Sequence, residues 1–534
     1  MSRYTVGIDL AVKGEHVAQA ADPEGHPGPS VSLSRTLDGY EKLVRFLEKL
    51  PPREDRPDVV LTPTGNAWVP LAVYLKRKGY RAFSVNPVQE HGLREYFSRY
   101  VKTDKIDGYV LASVPRVDPE GVHEAFLPEA QVEALRRWTR QRHGMVEHAS
   151  GIWKRLRAIL DQTAPTLAQA FGASLRARVG RAFLKRYVDP AKAVALGKER
   201  LGRFLDQHAE KPLGEEKKGA IYAACQSAAG IYAQARSAGQ LPFSFEEIQE
   251  QVRLELKRLA FEEAQVKRVE KRLQDLYHRY DPDEVLCQPA GIGVLSAATI
   301  VGAAGSAGRL GRNGAFKSLV GLVSRTKESA GKWIPGQRIT QHSDPLLRHA
   351  FYLIGENARR EDVEAFELYQ RLRDRGRPHT KAVVSVGSRW SGKWFNLWQR
   401  YERRRAGDPT VDLTWQWRDA QGKGITKAEA QAYIDREAPI RDALRKAREG
   451  RKARPSRRVS AAPIPWPAQA ASLPRGPEGR GHAPATLERL LLEAPWLQRL
   501  LANRPETPGP TAPSAGASPH PSTRAAVENL LKHG

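Results

Sequence analysis

The chain is poor in sulfur, with two cysteines and two methionines in 534 residues. Cys225 and Cys287 lie far apart and match no metal-binding or redox spacing. That excludes a disulfide framework and a cysteine-rich zinc module. Long apolar runs are also missing. The opening MSRYTVGIDLAVKG has no apolar signal-peptide core, and no later stretch is long and apolar enough to span a bilayer. These absences point to a soluble, cytoplasmic protein with no membrane partner. Acid is the scarcer charge: 60 Asp and Glu stand against 86 Lys and Arg, a net charge of +26. Such a surplus favours a polyanionic partner, of which nucleic acid is the commonest. A basic solubility surface or tail is the plain alternative.

At ~150 residues per domain the length suggests two to four units. Residues 1–120 alternate as an α/β unit. YTVGIDLA, HVAQAAD and SVSLS read as three strands of a meander. GYEKLVRFLEKL has helical spacing, DVVLT is a short strand, and NAWVPLAVYLKRKG is a helix stopping at Gly79. RAFSVN is a further strand, and a last helix follows. The predicted order is three strands, helix, strand, helix, strand, helix.

Residues 121–280 read as almost wholly helical. Phe245, Val252, Leu259, Val266, Leu273 and Tyr280 recur every seven residues. Ile248, Val269 and Leu276 fill matching positions, and Glu255 and Glu262 break that second row. The pattern predicts a coiled coil, or else a long amphipathic helix packed within its own domain. Residues 281–404 form a compact, mainly helical segment. From 405 to 534 the composition reads as a basic tail with disordered Pro-rich stretches at 462–484 and 505–521. A short amphipathic helix is predicted near 485–503.

KTDKIDG places Asp104 and Asp107 three residues apart at the start of the last helix of the first unit. Such a pair shares a helix face. Its ordinary role is to complement the helix dipole. Asp9 closes the first strand, and in a ribonuclease-H-like fold the first strand and last helix meet. The three acids would then converge on divalent metal.

Several linked segments carry a family resemblance: GIDLA, TPTGNAWVPLAVYLKRKGYRAFSVNP and KTDKIDGYVLA, with LCQPAGIGVLSAATIVGAAG and FKSLVGLVSRTKESAGKWIPGQRITQHSDPLLRHAFY later. In this order they resemble the IS one-ten insertion-sequence transposases, the bridge-RNA-guided recombinases. The resemblance covers about 1–115 and 281–400. It implies a RuvC-like (ribonuclease-H-like) nuclease domain with four acids, a helical and coiled-coil middle, and a serine transposase domain. Asp9, Asp104 and Asp107 match the first, third and fourth acids. The second, normally Glu in an E-x-T-G motif, is Thr62 here. Asp58, Glu90 and Glu95 are possible substitutes. The implied cofactor is Mg²⁺, which prefers carboxylate, water and phosphate oxygens. Two such ions clamp the attacking and leaving oxygens of a phosphodiester.

Gly291 and Gly293 allow a tight turn whose N–H groups can face phosphate, as in helix-hairpin-helix modules, though a plain helix–helix turn reads the same. By the resemblance Ser329 is the nucleophile, with Ser324 the weaker match. Lys332, Arg338 and Arg348 are cationic candidates for phosphate binding. Trp390, Trp394 and Trp398 share a helix face, which means core packing or base stacking. The resemblance further implies DNA as substrate, a guide RNA, a homo-oligomer (dimer or tetramer) and a cytoplasmic, nucleoid-associated location. Two other readings stand beside it. Thr62 favours a binding protein that has lost cleavage. The GID opening is shared with actin-like ATPases, but TPTGNAW makes a poor phosphate loop.

Overall fold

The computed structural model describes residues 3–11, 13–51, 56–63, 65–85, 90–94, 103–119, 122–323, 328–329, 332–333, 339–340 and 343–453. All fall in the first of two units, 1–454 and 455–534. Three strands open the chain: Thr5–Asp9 (β1), His16–Ala21 (β2) and Pro27–Leu33 (β3). Leu37–Lys49 (α1) follows, its N-cap Thr36 accepting the Gly39 N–H. Then come Asp58–Leu61 (β4), Trp68–Arg77 (α2), Ala82–Ser84 (β5), a helical turn at 90–94, Asp104–Val117 (α3) and His123–Glu124 (β6).

The sheet order is β3-β2-β1-β4-β5-β6. β1, β4 and β5 run parallel, while β2, β3 and β6 are antiparallel to their neighbours. Strand alternation divides the faces. Val6, Ile8, Leu10, Val59 and Leu61 pack with Leu43 and Leu47 of α1 and Leu71 and Leu75 of α2. On the opposite face Val60 packs with Leu111 and Val114 of α3. This mixed sheet between helices is compatible with the expected ribonuclease-H-like domain.

The long helices Ala130–Thr163 (α4) and Phe245–Tyr280 (α10) pair with each other. Arg142, His148 and Arg155 of α4 meet Glu270, Glu262 and Glu255 of α10, so the two run antiparallel. The glutamates that interrupt the heptad row are thereby explained. Glu255 is buried and takes a bidentate bond from Arg155 at 3.0 and 2.9 Å. The helix finds its partner within its own chain. Leu167–Phe171 (α5), Arg178–Leu184 (α6), Pro190–Ala195 (α7), Lys198–His208 (α8) and Glu215–Ser237 (α9) complete a core on Ile152, Leu156, Val252 and Leu259. Burial pushes both free thiols, Cys225 and Cys287, up to about 12, so neither is a reactive thiolate.

The remaining elements are Val294–Ala304 (α11), Ala307–Leu310 (α12), Asn313–Val320 (α13), Glu328–Ser329 (β7), Lys332–Trp333 (β8), Pro345–Glu361 (α14), Val363–Asp374 (α15) and His379–Arg405 (α16). Trp390, Trp394 and Trp398 are fully buried on α16. Their indole N–H groups donate to Ala290 O (3.2 Å), Leu286 O (2.9 Å) and Tyr280 Oη (3.0 Å). This overturns the base-stacking alternative: the stripe is core that pins 280–290 to α16. Beyond 405 the chain continues through Trp417–Arg418 (β9), Gly424–Ile425 (β10) and Lys427–Ala453 (α17). Ala430 and Ile434 bury against Val363 and Phe366. The predicted start of the tail at 405 is therefore corrected, because apolar residues after it still dock on α15. The Pro-rich stretches and the helix expected near 485–503 lie outside the described residues.

Candidate active site

Helix α3 runs along β1 in the opposite direction, and glycine permits the contact. Thr5 Oγ1 donates to Ala112 O at 2.8 Å. Two residues on, a Cβ on Gly7 would lie 1.9 Å from Gly108 O. Two strand residues advance about 6.6 Å and four helix residues about 6 Å, so the registers stay in step. The next step places Asp104 opposite Asp9. β4 repeats the relation. Val60 packs with Leu111, so by the same register position 62 lies level with the first turn of α3. Since Gly7 pairs with Val60 and Ile8 with Leu61, Asp9 and Thr62 end adjacent strands side by side.

Thr103 caps α3, its hydroxyl accepting the Ile106 N–H at 3.3 Å. The dipole role of the two acids therefore supplements a capped helix rather than replacing a cap. Asp104 is exposed. Asp107 is 3% exposed, and its buried Oδ1 accepts no hydrogen bond. A buried carboxylate oxygen without a donor is costly and rare outside functional sites. Arg94 approaches it, with Nη1 at 3.6 Å.

Thr62 Oγ1 donates to Glu90 Oε2 at 2.6 Å. Glu90 and Arg94 stand one turn apart in the 90–94 segment. Of the other substitute acids, Asp58 starts β4 at the far end from Thr62 and is tied bidentately by Arg81 at 2.8 and 3.0 Å. Glu95 lies outside the described residues. No group of three His, Cys, Asp or Glu poised to hold a metal occurs among the described residues. The donor types and backbone placement nevertheless suit a hard cation: carboxylates around strand ends, with one buried oxygen lacking a donor. Sequence reasoning missed Arg94. Its only signal was the four-residue spacing from Glu90.

In the second half, Gly291 (φ +77) follows a short 3₁₀ turn, and a Cβ there would lie 2.8 Å from Ala358 N and 2.9 Å from Ile354 O of α14. Its N–H donates to Glu361 Oε2 at 3.1 Å. Here that amide faces a carboxylate of its own chain. Gly293 is exposed and is the N-cap of α11. Ser329 pairs with Lys332 across the antiparallel β7–β8 ribbon. Arg348 Nη2 donates to Thr340 O (3.0 Å) and to Ser343 Oγ, fixing the segment ahead of α14. Ser324 and Arg338 lie outside the described residues. The structure brings the N-terminal acids to one end of the sheet, while Ser329 belongs to a separate element more than 200 residues later.

Two family models match. One, of DEDD type and described as Transposase, covers residues 6–165 and so spans Asp9, Thr62, Asp104 and Asp107. The other, described as Transposase IS116/IS110/IS902 family, covers residues 283–384 and so spans Gly291 to Arg348. The chain belongs to the IS110 family of transposases. Among similar IS110-type proteins, the insertion element IS116 uncharacterized 44.8 kDa protein of Streptomyces clavuligerus is 24% identical over 412 residues, 77% of this chain and 98% of that one. The insertion element IS110 uncharacterized 43.6 kDa protein of Streptomyces coelicolor is 23% identical over 285 residues, 53% and 67% of the two chains. Membership in this transposase family implies DNA binding and DNA transposition in general. No helix among the described residues is long and apolar enough to cross a membrane.

Proposed function

We propose that this IS110-family chain cuts and rejoins DNA strands through a divalent-metal site at the ends of β1 and β4 and a serine nucleophile at Ser329. The observation that carries the reading is the register of α3 on the sheet. Asp9 ends β1, Asp104 and Asp107 stand in the first turn of α3, and one carboxylate oxygen of Asp107 is buried and accepts no hydrogen bond, all of which supports the reading. Mg²⁺ is the fitting ion, and when bound it would polarise the scissile phosphate.

The protein's own part is to present acceptor oxygens, exclude water around Asp107 and deliver the hydroxyl. In the serine step the Ser329 hydroxyl gives its proton to a base and forms a new O–P bond. The P–O bond to the leaving sugar oxygen breaks, and that oxygen takes up a proton. The phosphoserine link conserves the bond energy for rejoining. Lys332, Arg338 and Arg348 are the cations assigned to the phosphate, and the exposed Gly293 N–H to backbone contact, the Gly291 N–H being taken by Glu361. A homo-oligomer, dimer or tetramer, would bring the two halves into a composite site. A guide RNA would read DNA by base pairing while basic surfaces grip the backbones. The net charge of +26 supports both partners and a nucleoid-associated location.

Strand cleavage of element-end DNA, with the adjacent non-coding RNA and Mg²⁺ present, tests the reading. Wild type cleaves, and Asp107→Asn loses about two to three orders of magnitude, the scale of lost electrostatic stabilisation in such sites. Equal cleavage by both, or none by wild type, defeats it. A second reading, a nucleic-acid-binding relic, rests on Thr62. It predicts RNA and DNA binding without cleavage by wild type or by Thr62→Glu.

A further inference from the structure

We infer that Glu90 supplies the carboxylate missing at position 62, with Thr62 acting as its tether. The inference rests on the metal-site reading above and deepens it.

The argument begins with reach. On standard bond lengths a threonine hydroxyl oxygen lies roughly 2.4 Å from its own Cα, and a glutamate carboxylate oxygen up to roughly 5 Å. Thr62 Oγ1 holds Glu90 Oε2 at 2.6 Å. The two segments together carry a carboxylate oxygen about as far from the strand as a glutamate at 62 would carry its own. The acid has moved from the strand to the 90–94 turn, and the threonine hydroxyl fixes it in place.

Burial and charge agree. Thr62 is 8% exposed, so its hydroxyl needs a partner, and the carboxylate is that partner. The same turn delivers Arg94 to Asp107 Oδ1 at 3.6 Å. Glu90 thus reaches the end of β4, and Arg94 reaches the first turn of α3. One short segment touches both sides of the site. The Asp107 oxygen beside Arg94 is buried and accepts no hydrogen bond, so it has a lone pair left to offer. With Glu90 the acids number four again: Asp9, Glu90, Asp104 and Asp107. Four carboxylates are what a pair of divalent cations needs to offset its charge. Asp58 fails as a substitute, because it sits at the opposite end of β4 against Arg81 and Arg3.

Thr62 is then a positioning residue, and Glu90 is a metal ligand on a different element. Arg94 occupies the cation's place beside Asp107 and would be displaced by metal.

Mn²⁺ binding to the full-length protein, read as loss of the free-ion paramagnetic signal, tests this without any turnover. Glu90→Gln should weaken binding by about 10- to 100-fold, the usual consequence of losing a group that builds a metal site. Thr62→Val, which removes the tether and keeps the acid, should weaken it less. Moving the acid back to the strand with Thr62→Glu plus Glu90→Gln should restore wild-type affinity. Circular dichroism confirms that each variant is folded, and the double variant guards against a merely disruptive Glu90→Gln. If Glu90→Gln binds Mn²⁺ as wild type does while Asp107→Asn does not bind, the inference is overturned and the metal site stands. If wild type binds no Mn²⁺ at millimolar concentration, the metal-site reading itself fails.

Discussion

Replacing Gly7 with alanine should break the arrangement on which the site depends. The new Cβ would sit 1.9 Å from Gly108 O, 2.5 Å from Ala112 N and 2.7 Å from Leu111 Cβ. The closest of these is about 1.5 Å inside ordinary contact. Two of the three obstructing atoms are backbone and the third is a Cβ bonded directly to it, so no side chain can swing aside. Helix α3 must lift from β1 or slide along it. Overpacking of this kind costs about 1–3 kcal/mol. Lifting also breaks the Thr5–Ala112 bond, worth about 1 kcal/mol, and opens the buried contacts of Leu111 and Val114. The total is about 3–5 kcal/mol. Urea unfolding followed by circular dichroism measures it, and hydrogen exchange in 104–117 localises it. Gly144→Ala in α4 is the control, since a Cβ there meets nothing within 4 Å. That change should be neutral or stabilising by about 0.5–1 kcal/mol. A Gly7→Ala protein within about 0.5 kcal/mol of wild type would refute the packing argument.

Two further outcomes follow from buried side chains. Trp394→Ala should cost about 3–5 kcal/mol, because it removes a fully buried ring and leaves Leu286 O without its indole donor; a smaller loss in urea unfolding would mean that the stripe is not core. His16 is 0% exposed, neither ring nitrogen has a hydrogen-bond partner, and burial, with Arg35 adding to it, holds its pKa below the usual value. The unfolded chain takes up a proton near pH 6.5 that the folded state resists, so this part of the stability is present above about pH 6.5 and is lost as pH falls. His16→Leu should flatten the fall in stability between pH 7.5 and 5.5, and an unchanged slope would show that His16 does not set it.

Local pattern made much of the fold legible. The three-strand meander, the helix beginning at Asp104 and the tryptophan face all follow from alternation, capping and helical period. What stayed hidden depends on contacts between distant segments. The heptad row showed that Glu255 interrupts an apolar seam. Nothing local showed that Arg155, 100 residues earlier, would pair with it. The same holds for the site. Asp9, Asp104 and Asp107 stood out by resemblance, and Thr62 stood out as a gap. Which acid fills that gap depends on how 90–94 folds back over the end of β4, and Glu90, Glu95 and Asp58 are alike as letters. The tail boundary was misplaced for a related reason. Basic, polar composition after 405 masked Ala430 and Ile434, which are few but bury on α15.

The most direct test of the account is a search for a covalent protein–DNA adduct. Full-length protein is incubated with labelled element-end DNA, the adjacent RNA and Mg²⁺, then denatured and resolved by electrophoresis. The account predicts label retained on the chain, mapped by mass spectrometry to Ser329, and abolished by Ser329→Ala with DNA binding intact. Absence of any adduct, or an adduct that persists in Ser329→Ala, would contradict it.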